Sequence, residues 1–226
     1  MAKMDPKKYL NLDNELLIAN KYIEFGRIEL SRLTGFTDQN YLCFYLFANG
    51  LERLMKCIIC FWYFNDNGSF PDVKNEYGHN LIELKNQIVK IAYEKKYHER
   101  NKRFEEDVIF LENDKLLQKT LEFLTELSKI SRYYNFDKLL DKPLGYKDPN
   151  EIIEDIEDVI LEFNPELKAM VGKIEFENDL NLGLNLEWQK IFSSFLSSLS
   201  RIFVNCDFGE EGKRASTHVL VYTFVE

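Results

Sequence analysis

Three histidines, four cysteines and one dense polar run are the residues of this chain whose chemistry can go beyond packing. The histidines are His79, His98 and His218. To act as acid or base, each needs a nucleophile to deprotonate or a cation to hold a phosphate nearby. The chain has no Gly-rich phosphate loop of the Walker or dinucleotide pattern and no Gly-x-Ser-x-Gly elbow. The polar run is Ser131-Arg132-Tyr133-Tyr134-Asn135-Phe136-Asp137. A guanidinium, two phenol rings, a carboxamide and a carboxylate in succession can stack on a base and hydrogen-bond to it. Arg132, Tyr133, Tyr134, Asn135 and Asp137 are therefore the candidate nucleotide- or RNA-binding residues. The same run also reads as a helix C-terminus, with arginine on the last carbonyls and tyrosines packing amphipathically. Ser200-Arg201-Ile202, with Gly209 and Gly212 beyond it, is a weaker stretch of the same sort.

Other clusters read as structure. Cys57-Ile-Ile-Cys60 has metal-ligand spacing, but no second Cys/His pair follows and Met55, Ile58, Ile59, Phe61 and Trp62 surround it. A structural zinc site needs a knuckle and four ligands, so the expectation is no metal and no disulfide. Glu151, Glu154, Asp155, Glu157, Asp158 and Glu162 are closely spaced, but no histidine joins them, and they read as a solvated acidic face. Lys95, Lys96, Arg100, Lys102 and Arg103 read as a solvated helix tip favoured by the helix dipole. Ser193, Ser194, Ser197, Ser198 and Ser200 are small residues that let a neighbouring helix approach, in preference to nucleophiles.

These residues must be positioned by helices, because apolar spacing of three and four dominates the chain. A first helix is expected over 11–33, with Leu16, Leu17, Tyr22, Ile23, Ile28, Leu30 and Leu33 as its stripe and Gly26 weakening its middle. The most buried helix is expected over 38–64, opened by Thr37 or Asp38. Asn65 to Pro71 is expected to be a loop. Further helices are predicted over 81–101, capped by Asn80, and over 113–131. Another begins at Asp148-Pro149, with Ile152, Ile153, Ile156, Val159, Ile160 and Phe163 inward, and a last clear one spans 186–204. Residues 165–185 read as irregular, with a short strand near 173–177, and 217–225 as strand or helix.

Composition narrows the partners. Abundant aromatics argue against disorder. A net charge of −9 disfavours broad electrostatic binding of nucleic acid. The most apolar run, 41–64, carries Asn49, Glu52, Arg53 and Lys56 at its centre and so reads as a buried helix, not a membrane span. The polar segment Met1 to Lys8 has no apolar stretch after it, so no signal peptide is expected, and reduced thiols then point to the cytoplasm.

One combination of these features has a family likeness. A buried helix bearing Gly50-Leu51-Glu52-Arg53-Leu54-Met55-Lys56, a loop with a proline, and then His79-x-Leu81-x-x-Leu84 resembles HEPN-type domains over residues 38–130. The resemblance implies a helical bundle of the sort found in prokaryotic toxin–antitoxin, antiviral defence and RNA-cleaving proteins. Catalytic members share an Arg-x(4–6)-His signature, in which arginine holds phosphate and histidine does acid–base chemistry. This chain departs from it. Lys74, Val73 and Asp72 precede His79 at those positions, Tyr93, Ala92 and Ile91 precede His98, and Lys213, Gly212 and Glu211 precede His218. Arg214 stands one residue too close to His218. His79 is accordingly expected to pack and hydrogen-bond at a helix start.

The sequence thus predicts a single all-α domain over 1–226, a bundle of six or seven helices with a HEPN-like core at 38–130 and a C-terminal helical extension at 148–226. The resemblance implies a non-catalytic interaction subunit of a defence or toxin–antitoxin system, with a protein partner encoded nearby or a second copy, and no cofactor. The alternatives are an atypical ribonuclease using His79 and Arg132, and an acidic phage-encoded inhibitor mimicking nucleic acid.

Overall fold

The computed structural model of the chain describes residues 3–33, 41–130, 134–141, 145, 147–219 and 222, without the side chains of Tyr41 and Ile130. Within these residues the regular structure is eleven α-helices and one 3₁₀ turn, with no strand. This is the all-α bundle expected.

Helix α1 (Pro6–Ser31) starts where Pro6 fixes the first turn and the Asp5 carboxylate accepts from the Lys7 and Lys8 amides. Helix α2 (Tyr41–Asn67) runs antiparallel to it, so that Leu12 meets Cys57, Ile23 meets Gly50 and Gly26 meets Phe47. Two glycines set the separation. A Cβ on Gly50 would stand 3.0 Å from the Ile23 nitrogen and 3.1 Å from the Ala19 carbonyl, and one on Gly26 would stand 3.3 Å from the Cys43 carbonyl. Backbone therefore nearly touches backbone, and the glycine that weakens α1 as a sequence is what lets it dock.

Helix α2 lies at the centre. Beyond α3 (Val73–Tyr77) it is surrounded by α4 (Leu81–Glu94), α6 (Lys115–Ile130), α8 (Pro149–Phe163) and α11 (Gly209–Val219). The long α10 (Glu177–Asn205) closes the bundle, and α5 (Lys102–Asn113) packs against α4 and α10. One hydrophobic core runs from Met4 to Tyr222. Its centre is aromatic: the Phe47 and Phe192 rings stack at 3.8 Å, and Phe44 packs on Trp188 at 4.7 Å and Phe123 at 5.3 Å.

Several expectations need correction. The helix predicted over 81–101 ends at Glu94. Lys96 takes a left-handed backbone (φ +50°), and Asn101 then caps the separate α5 through the Phe104 amide. Residues 165–185 are mostly helical. They contain α9 (Pro165–Lys168), the 3₁₀ turn Ile174–Phe176 and the first turns of α10, so 173–177 is not a strand. Gly183 is tolerated inside α10 because a Cβ there would run into Leu167 of α9. Thr217 to Val219 finish α11, while 220, 221 and 223–225 lie outside the described residues, as do Thr37 and Asp38. Phe163, expected inward, is exposed, as are Leu17 and Ile28 of α1. The helix count rises above seven through α5 and the short α3, α7 (Tyr134–Leu139) and α9. Among the described residues no helix is long and apolar enough to cross a membrane.

Candidate functional site

Glu52 and Lys56 of α2 meet His79, from the turn before α4, at one point of the surface. Lys56 lies one turn beyond Glu52 on α2, and its ammonium donates to the Glu52 carboxylate at 2.7 Å. It also donates to the Gly78 carbonyl at 2.5 Å. His79, next in the turn before α4, places Nδ1 2.9 Å from the other Glu52 oxygen. Gly78 makes this turn with φ +52°, and nothing stands where its Cβ would be. The Asn80 carboxamide then accepts from the Ile82 and Glu83 amides and opens α4, as its position predicted. Thr125 of α6 takes the Leu81 amide at 3.1 Å.

Glu52 and Lys56 are nearly covered, whereas the His79 ring is 59% exposed. An ionised Glu52 can only accept, so Nδ1 carries the proton and Nε2 is left able to take one. The arrangement can orient an imidazole for proton transfer. It also staples α2 to the α3–α4 turn. Among the described residues, none of the three histidines hydrogen-bonds a serine or cysteine. His218 Nε2 lies 3.4 Å from Asp13, and the His98 ring packs edge-on to Tyr93. Glu52 and Lys56 were not singled out in the sequence as site residues. The available signal was an i, i+4 acid–base pair in the middle of a buried helix.

The polar run after α6 is only partly placed. Arg132 and Tyr133 lie outside the described residues. Tyr134 is buried, and its hydroxyl donates to Asp148, the N-cap of α8. Lys138 Nζ stands 3.6 Å from the same carboxylate and 5.0 Å from the Tyr134 ring. Burial works against ionisation of Asp148, yet the Tyr134 hydroxyl, the Asn150 amide and Lys138 together hold its carboxyl below the usual range. Tyr134 thus fastens α7 to the start of α8. Asn135 is exposed and Asp137 half-buried.

The most buried ionic cluster lies elsewhere, where sequence reasoning saw only a weak stretch. Asp107 of α5 is 3% exposed and accepts four hydrogen bonds. Arg201 of α10 grips it with two nitrogens at 2.9 and 2.5 Å. Tyr97 donates at 2.7 Å and Ser198 at 3.0 Å. The hydrogen bond to Asp107 raises the arginine pKa, while burial and then the same carboxylate push the Tyr97 phenol up. Every lone pair that matters is used, so the cluster clamps α5 to α10 and offers no open valence to a substrate.

The serines of α10 are donors as well as small residues. Ser197 binds the Tyr222 carbonyl at 2.7 Å and Ser200 the Val219 carbonyl at 2.6 Å, at the end of α11. The basic residues after α4 are largely engaged. Lys95 pairs with Asp66 at 2.7 Å, and Arg100 donates to the Asn205 carbonyl. All four cysteines are free and buried, and burial lifts the Cys43, Cys60 and Cys206 thiols to about 12. They are not nucleophiles in this state. On the acidic helix, burial first and then Glu154 and Asp158 raise the Glu157 carboxyl to about 7, so that residue does not belong to a freely solvated face. Among the described residues no three His, Cys, Asp or Glu side chains gather to hold a metal ion. A cavity of about 690 Å³ lies between α1, α10 and α11 and is lined by Asn20, Arg27, Phe47, Phe192, His218 and Tyr222. No family model, curated protein or solved structure matches this chain.

Proposed function

We propose that the protein is a non-catalytic interaction subunit, HEPN-like in its core, of a prokaryotic antiviral defence or toxin–antitoxin system. The observation that carries the interaction role is the outer face of α1. That helix buries Leu12, Leu16, Ala19, Ile23 and Leu30 and exposes Leu10, Leu17, Ile18, Phe25 and Ile28 on the opposite side. Single exposed apolar side chains need no explanation, but a row of five along one helix marks a contact surface. The defence or toxin–antitoxin setting rests on the likeness of Gly50–Lys56 and His79–Leu84 to HEPN-type domains.

A ribonuclease is the second reading, favoured by one observation. The exposed His79 ring is oriented by Glu52, as a general base requires. An assay on single-stranded RNA separates the two. Wild type is expected to leave the RNA intact and to bind it weakly, the more so as salt is raised. Cleavage by wild type that His79→Ala and Arg132→Ala each abolish, in variants that remain folded, would establish the ribonuclease instead. In parallel, the product of an adjacent gene is expected to co-purify with wild type and to be lost with Leu17→Glu.

A further inference from the structure

The cavity of about 690 Å³ between α1, α10 and α11 is of small-molecule size and lies between helices, where bundles hold ligands. Several polar groups on its wall are already committed. Asn20 bonds the His218 carbonyl and the Tyr222 hydroxyl, and the Ser31 and Thr217 hydroxyls donate to carbonyls of their own helices. His218 Nε2 lies against Asp13. Glu24 and Arg27 of α1 and Gln189 and Ser193 of α10 are not committed: among the described residues they have no hydrogen-bond or ion-pair partner.

Two of these carry opposite charges. Glu24 and Arg27 stand three residues apart on the stripe of α1 that lines the cavity, a spacing at which such side chains pair, yet they do not pair here. Both charges are felt at Tyr222, whose phenol is raised first by burial, drawn down by Arg27 and pushed up by Glu24. They therefore share one end of the cavity. Ile28 and Leu30, with the stacked Phe47 and Phe192 rings, supply its apolar lining. A simple anion placed there would meet Glu24, and a simple cation would meet Arg27. A ligand bearing both charges a few atoms apart meets a partner for each.

We propose that this cavity binds a free α-amino acid with an aromatic side chain, its carboxylate on the Arg27 guanidinium and its ammonium on the Glu24 carboxylate. The guanidinium fork matches a carboxylate at two points. Gln189 and Ser193 offer neutral donors and acceptors to the remaining N–H groups and lone pairs, and the ring lies against the apolar lining. The site is separate from the Glu52–His79 pair and from the exposed row of α1, and it needs neither a protein partner nor RNA.

Calorimetric titration of the full chain with L-phenylalanine tests this, beside 3-phenylpropionate, which lacks the ammonium, and phenethylamine, which lacks the carboxylate. Phenylalanine is expected to bind with a Kd of about 1 mM or tighter, and each analogue about tenfold more weakly. Arg27→Gln and Glu24→Gln, both at exposed positions, are each expected to weaken phenylalanine about tenfold with an unchanged circular dichroism spectrum. The selectivity should follow the residue. Glu24→Gln is expected to bind phenylpropionate as well as it binds phenylalanine, and Arg27→Gln to treat phenethylamine and phenylalanine alike. An analogue that binds wild type as tightly as phenylalanine does would overturn the proposal. So would an affinity that neither substitution changes, or the absence of saturable binding below about 10 mM.

Discussion

Asp107 shows how little a buried ion pair says about activity until its bonds are counted. A carboxylate removed from water, gripped by a guanidinium at two points and by two hydroxyls, is stable only as a complete set. Asp107→Ala leaves the Arg201 charge buried and unpaired, and is expected to lower the unfolding free energy by about 3–5 kcal/mol. Asp107→Ala combined with Arg201→Met should recover most of that loss, because the stranded charge is gone. Urea denaturation of the single and double variants measures both. A single variant as stable as wild type would mean that the carboxylate is not the clamp described. His79 contrasts with it: a mostly exposed ring on a nearly covered carboxylate, it joins α2 to the turn before α4 through one hydrogen bond. The two sites differed in how visible they were. His79 stood out because histidine is rare here and lies beside a cap. Asp107 and Arg201 are 94 positions apart, and no local pattern couples them.

The helices show where local signals hold and where packing overrides them. Two capping residues were readable: Asn80 and Asp148 each accept a backbone amide where an expected helix begins, whereas Asn101, read as the end of a helix, and Asp114 cap helix starts that were not read from them. Glycine misleads in both directions. Residues 165–185 read as irregular, yet Gly183 lies inside α10, where the Leu167 side chain stands in the place of its Cβ. The apolar residues of α1 suggested a single buried stripe. Leu17 and Ile28 in fact belong to the opposite face, a distinction that spacing alone blurs when both faces are apolar. Gly50 gives the sharpest test at this scale. Alanine is the better helix former by about 1 kcal/mol, so Gly50→Ala should stabilise a helix that had no close neighbour. Here the new methyl would meet the backbone of α1 at Ile23 and Ala19, which cannot rotate away. The variant is expected to lose about 1–3 kcal/mol in thermal or urea unfolding.

At the scale of the molecule, one core joins the first helix to the last, and the closing contacts lie far apart in sequence. Fold class was legible because helical periodicity fills the chain. The lateral order of the helices was not, since it depends on pairs such as Asn20 with His218 and Tyr222. Asn20 donates to the His218 carbonyl at 2.8 Å and accepts from the Tyr222 hydroxyl at 2.9 Å, across 198 and 202 residues. Those bonds carry a kinetic consequence. Closing so long a loop is entropically costly and is rewarded only once the intervening helices are in place, so the latch forms after the folding barrier has been crossed. Asn20→Ala should therefore leave the refolding rate nearly unchanged and speed unfolding about tenfold, for a loss of about 1–1.5 kcal/mol. Stopped-flow refolding and unfolding in urea would read both limbs. A slowed refolding limb would instead place the meeting of the first and last helices among the early events. If the latch is late, α11 is the helix whose amides exchange first and whose backbone a protease reaches first, while α2 remains protected.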